Sequence, residues 1–209
     1  KGLLEGPMPK FKRLKGSWMI SGRRTWLDQL LNRAKIPNGN KNEDGSDQYF
    51  QFPYSFYDYQ VKINLDINPD HRLTYSRFYG DDVVSFSYSD NSTNQDGNTT
   101  ITNKNKFDIE WPWGNKTNGL TWRWICSPTI VSKTFFSNSR YRFDFDISIS
   151  DSTIYDYSDS TTQYFSDVGY NIFDVIYDNT IESEVLWKAS ENHEISSGLQ
   201  LKTINFDLG

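Results

Sequence analysis

The sequence predicts an all-β fold: an antiparallel, up-and-down sheet of about eight long strands, forming one open segment of a transmembrane β-barrel wall. Three observations predict it. From Tyr57 to Ile67 the odd positions are Tyr57, Tyr59, Val61, Ile63, Leu65 and Ile67, while Asp58, Gln60, Lys62, Asn64 and Asp66 lie between them. That period of two puts one apolar and one polar face on an extended strand. Further runs repeat the pattern, the clearest from Phe135 to Ser150, where Tyr141, Phe143, Phe145, Ile147 and Ile149 oppose Arg140, Arg142, Asp144 and Asp146. The third observation is composition. Only 36% of residues are hydrophobic, yet 16% are aromatic, which suits a sheet aromatic on one side and wet on the other better than a packed globular core.

Taken in order, residues 1 to 6 read as the end of a strand closed by Gly6, Pro7 and Pro9. A basic connection, Lys10 to Lys15, follows, and Ser17 to Trp26 alternates loosely, with Trp18 and Ile20 opposite Met19, Ser21 and Arg23. Trp26, Leu27, Leu30, Leu31 and Ala34 recur at helical steps, predicting a short helix. Pro37 to Gln48 reads as a loop. The Tyr57–Ile67 strand turns through Asn68, Pro69, Asp70 and His71 into a partner carrying Leu73, Tyr75 and Tyr79. Beyond Asp82 the apolar set changes parity to Val84, Phe86 and Tyr88, which predicts a bulge. Ser89 to Lys106 reads as a mobile polar loop. A strand with Leu120, Trp122 and Trp124, a turn at Ser127 to Thr129, the Phe135–Ser150 strand, a polar loop from Asp151 to Gln163, a strand from Phe173 to Ala189, a turn at Glu191 to Glu194 and a last strand complete the chain. Short turns thus fall at one end and long connections at the other, the asymmetry of outer-membrane barrels. Trp111, Trp113, Trp122, Trp124 and Trp187 are expected in interfacial girdles.

The charge of −5 argues against a nucleic-acid partner. A lone Cys126 rules out an internal disulfide and a cysteine-built metal site, and no 18-residue apolar run provides a membrane helix. The two histidines, His71 and His193, fall in turns. Asp144 with Asp146, and Glu182 with Glu184, are spaced as carboxylate pairs, but that spacing is equally that of a hydrated wall. Asp90, Asn91, Asp96 and Gly97 do not match an EF-hand register. No phosphate loop, metal motif or nucleophile elbow occurs. The expectation is a protein that is not an enzyme and uses no cofactor or metal. The opening "KGLLEGP", without an initiator Met or signal peptide, is expected to be internal to a longer protein. A small self-contained eight-stranded barrel and a soluble β-rich binding module are the competing readings.

At "LLEGPMPK" and "GSWMISGRRTWLDQLL", Leu3 to Leu31, the chain resembles TonB-dependent outer-membrane receptors of the Bacteroidetes type, which carry a carboxypeptidase-like regulatory domain. Gly16, Ser17, Ile20, Ser21, Gly22, Arg23, Arg24, Thr25, Leu27 and Asp28 fit the pattern, and "FKRLK" lengthens the first turn. The resemblance implies an energy-coupled importer in the outer membrane of a Gram-negative bacterium. A barrel of roughly 22 strands surrounds a plug that a TonB complex pulls. Residues 1–209 would be one part of that barrel domain. Its partners would be outer-membrane lipid, the plug and an imported ligand. Arg140, Arg142 and Asp144 are the expected ligand-binding residues on the lumen face, with the loops Asn38 to Asp47 and Asp90 to Thr100.

Overall fold

A computed structural model describes residues 1–9, 15–41, 47–49 and 53–209. Eight strands form one antiparallel up-and-down sheet: β1 (Gly2–Pro7), β2 (Lys15–Arg24), β5 (Tyr54–Asp66), β6 (His71–Asp96), β7 (Thr99–Ser127), β8 (Ile130–Asp156), β9 (Thr161–Ser190) and β10 (His193–Leu208). Between β2 and β5 lie the helix α1 (Leu27–Ala34) and a two-stranded ribbon of β3 (Pro37–Lys41) with β4 (Asp47–Tyr49). Lys35, in the left-handed region at φ 47°, ends α1 and donates its N–H to the Leu31 carbonyl. Each strand of the main sheet pairs with its neighbours in order, and β1 does not meet β10, so the sheet is open.

Two expectations fail here. The polar stretch Ser89 to Lys106 is not a loop. β6 runs to Asp96, β7 starts at Thr99, and only Gly97 and Asn98 connect them. Gly97-Asn98 is a two-residue hairpin signal with Gly at the first central position, and Gly97 takes the positive φ (62°) that such a type II′ turn requires. Likewise β8 and β9 extend to Asp156 and from Thr161, so the predicted 151–163 loop is mostly strand. Thr, Ser and Asn on both faces make these extensions wet on both sides without ending the pairing. Short turns therefore join β6–β7 and β8–β9 at this end also, and the long connection is that between β2 and β5.

The bulge at Gly80 to Asp82 is absent. β5–β6 and β6–β7 pair without a break through Gly80, Asp81 and Asp82. Irregularities sit instead at Ile125/Ser127 and His193/Glu194, beside the turns. The parity change is real, and it means that the apolar side of the sheet switches faces. Near the turns at 68–71, 127–129 and 191–194, the first face carries Leu65, Leu73, Trp122, Trp124, Leu120, Phe136, Ile181, Val185, Trp187, Leu199 and Leu201. The second face there carries Arg72, Arg123, Lys133, Glu182, Glu184 and Gln200. Toward the other end the roles reverse. The second face becomes Val84, Phe86, Trp111, Trp113, Phe143, Ile147 and Val168, and the first becomes Lys106, Asp108, Glu110, Asp146, Ser148 and Asp167.

The sheet is one layer. Val175, 2% exposed, is the one buried hydrophobic residue among those described, while Trp187, Leu201 and Phe206 stand 46%, 61% and 63% exposed. A lone sheet cannot bury an apolar face against itself, so both apolar areas need an external cover.

Candidate functional site

The richest constellation lies on the second face, just where it turns apolar. β5 supplies Tyr54, Phe56 and Asp58, β6 Phe78 and Asp82, β7 Trp113 and Asn115, and β8 Tyr141. They line a groove of about 380 Å³ with Arg23 at its rim. Register explains the grouping: Phe56 pairs with Asp82, Asp82 with Trp113, and Asn115 with Tyr141. Gly80 leaves the floor open, since a Cβ there would meet the Phe78 ring at 3.1 Å and the Asp58 Cβ at 3.2 Å.

The cup is held by directed contacts. The Tyr54 hydroxyl donates to Asp82 Oδ1 at 2.5 Å. That hydrogen bond, with some burial, lifts the Tyr54 phenol above its ordinary pKa. The Tyr54 and Trp113 rings stack at 6.3 Å, and Tyr54 and Phe56 lie at 5.9 Å. Arg23 pairs with Asp58 and stands 5.4 Å from the Phe56 ring centre. The aromatic surface continues upward through Trp111, which meets Trp113, Phe143 and Phe145 at 5.5, 5.8 and 5.6 Å. Flat rings beside carboxylates offer stacking surface plus fixed hydrogen-bond acceptors, the composition of small-molecule sites.

Arg140, Arg142 and Asp144 lie elsewhere. They occupy the first face, in the same file as Phe136 and Asn138. Arg142 Nη2 is 3.6 Å from Asp81 Oδ1, which also accepts from the hydroxyls of Tyr57 and Tyr79 through its other oxygen. Asp144 and Asp146 both accept from Asn171. Of the two expected ligand loops, Asn38 to Asp47 falls on the β3–β4 ribbon, with 42–46 outside the described residues, and Asp90 to Thr100 forms the β6–β7 hairpin tip. The girdle tryptophans divide: Trp122, Trp124 and Trp187 are on the first face by the turns, Trp111 and Trp113 on the second. His71 sits between Trp122 and Trp124, 5.7 Å from each, and accepts from Trp122 Nε1 at 3.1 Å. The cup was not singled out from the sequence. Its signal was the parity change at Asp82 to Val84.

No family model and no curated protein matches this chain. Among solved structures, the chain is similar to the G324V mutant of the ferric enterobactin receptor from Pseudomonas aeruginosa, at 9% identity and a TM-score of 0.19, covering 99% of this chain and 40% of that one. The chain thus spans well under half of that receptor, and a likeness at this level carries nothing about ligand or activity.

Proposed function

We propose that this chain is a stretch of the wall of an outer-membrane transport barrel, of the TonB-dependent receptor class. The first face meets lipid near the turns, and the second lines the interior. One observation carries the reading: the apolar band drifts diagonally across the strands. On β5 it is centred on Val61, which registers in turn with Arg77, Asn118, Asn138 and Asn179. On β9 the band, tyrosines included as on β5, runs from Tyr177 to Trp187 and is centred on position 182, three residues beyond Asn179 after four strand-to-strand steps. A drift of about three-quarters of a residue, roughly 2.5 Å, per 4.8 Å strand spacing corresponds to strands tilted by roughly 25–30° through a flat slab. A soluble sheet has no reason for its apolar band to follow that diagonal.

The height agrees. Trp187 and Tyr177 border the band on β9, ten residues apart, or about 30 Å in height at that tilt, the thickness of a bilayer's hydrocarbon core. The polar row inside it is paired: Asn138 donates to Asn179 at 2.7 Å, and Asn118 accepts from the Tyr75 hydroxyl at 3.1 Å, as hydrocarbon demands. On this reading the cup of Tyr54, Phe56, Asp82 and Trp113 faces the interior above the membrane and is the ligand-contacting region. Arg140, Arg142 and Asp144 face outward.

The test is depth-resolved quenching of single-tryptophan variants of the full-length protein in bilayers. Brominated acyl chains are expected to quench Trp122 or Trp187 and spare Trp113, with aqueous iodide doing the reverse. Equal quenching of all three by iodide alone sinks the proposal.

A further inference from the structure

We propose that the first face carries a docking site for the phosphates of an outer-leaflet glycolipid of the lipopolysaccharide type, built by Lys116 and Arg140 and flanked by Arg77 and Arg142. The inference rests on the membrane-wall reading and adds a specific lipid partner to it.

Lys116 of β7 and Arg140 of β8 are direct cross-strand partners. Like charges so placed repel. The row below holds Arg77, Asn118, Asn138 and Asn179, and the row above Asp81, Gly114, Arg142 and Val175. In these three rows the described acids are Asp81 and, on the outer strand β10 beyond Val175, Asp207. Asp81 is already engaged by Arg142, Tyr57 and Tyr79. Arg77 turns to the Tyr59 hydroxyl at 3.2 Å and to its ring at 6.0 Å. The four cations therefore face the engaged Asp81, the remote Asp207 and, one row beyond Arg142, Asp144, which Asn171 holds, in a chain whose net charge is −5. A concentrated positive patch in an acidic protein calls for an anion.

Position identifies which anion. Lys116 and Arg140 sit four residues beyond Leu120 and Phe136, the last apolar side chains of this face on their strands. That is the level of Tyr177 at the border of the band, where the zone of lipid headgroups begins. Tyr79 and Tyr177 lie in the same row, as interfacial aromatics do. The patch is thus continuous with the lipid-facing band, on the side away from the cup, where a transported ligand would not pass. Charge-assisted hydrogen bonds from guanidinium and ammonium groups to phosphate are the interaction on offer.

The experiment places the full-length protein in phosphatidylcholine nanodiscs and titrates fluorescent lipopolysaccharide. Lys116→Gln/Arg140→Gln is expected to weaken binding about thirtyfold, at two surface charges lost. Lys116→Arg/Arg140→Lys should keep it, as should Arg123→Gln on the opposite face. Millimolar inorganic phosphate should not compete. Unchanged binding by the double glutamine variant, with its barrel intact by heat-dependent gel mobility, overturns the proposal, and so does full displacement by inorganic phosphate, which marks a free-anion site. A protein that never enters the nanodiscs and remains folded in buffer brings down the wall reading itself, and this site with it.

Discussion

The carboxylate of Asp81 lies over Gly114, occupying the place that a side chain on Gly114 would need, and the Gly80 carbonyl oxygen stands 2.8 Å from the same point. The two residues are cross-strand partners at the level where the sheet exchanges its apolar face. Gly114 is therefore the gap through which Asp81 reaches Arg142. Replacing Gly114 by Ala or Val should cost about 1–3 kcal/mol through overpacking. In a double-mutant cycle with Asp81→Ala the cost should shrink but not vanish, because the Gly80 carbonyl remains. Urea unfolding of the reconstituted protein measures it, and full additivity would contradict the contact.

Charge introduced into the band should report its depth. Ile181→Arg is expected to destabilise by about 2–4 kcal/mol in lipid, while Ser148→Arg on the same face should change stability by less than about 1 kcal/mol. Folding into vesicles from urea gives both values. Similar costs at both positions would argue against a lipid-facing band that ends below Ser148.

Cys126 is exposed beside the Ser127–Ile130 turn, and Asn98 sits at the opposite end of the same strand. A membrane-impermeant maleimide should label Asn98→Cys (in a Cys126→Ser background) in intact cells. Native Cys126 should react only after the outer membrane is permeabilised. The reverse pattern inverts the orientation.

Tyr54→Phe removes the hydroxyl that binds Asp82 and keeps the ring on Trp113. It should lower stability by about 0.5–1.5 kcal/mol and shift the Trp113 emission little. Trp113→Ala, by contrast, should strip the stacking of both Tyr54 and Trp111. Circular dichroism in the aromatic region separates the two. Equal loss from both variants would place the cup's cohesion in the hydrogen bond.

At the turn, Arg72 donates to Asp66, Nη2 to Oδ2 at 3.1 Å, and this hydrogen bond holds the Asp66 carboxyl below its ordinary pKa. A depressed folded-state value stabilises above the unfolded pKa, near 4, and that contribution disappears as pH falls through the folded value. Both side chains are partly exposed, 44% and 34%, so the contribution is under about 1 kcal/mol. Asp66→Asn should flatten the stability profile below about pH 4 and lower stability across the neutral range by that same amount, as urea unfolding at pH 7 and pH 3 would show.

The alternation of Tyr57 to Ile67 and of Phe135 to Ser150, with short polar turns at 68–71, 127–129 and 191–194, was enough to determine an antiparallel up-and-down sheet of about eight strands. Side-chain period and turn chemistry are local properties, so they are legible along the chain. The helix near Leu27 to Ala34 was readable for the same reason. Which face each apolar run joins was not readable, because that depends on register across partners far apart in sequence. Val84 and Phe86 looked like bulge products until β5, β7 and β8 placed Trp111, Trp113 and Phe143 beside them. Polar hairpin arms such as Ser89 to Asp96 carry no hydrophobic period, and only pairing with Thr99 to Lys106 makes them strands. The cup and the basic patch are likewise products of register: the sheet brings Tyr54 diagonal to Trp113 across β6, and Lys116 level with Arg140.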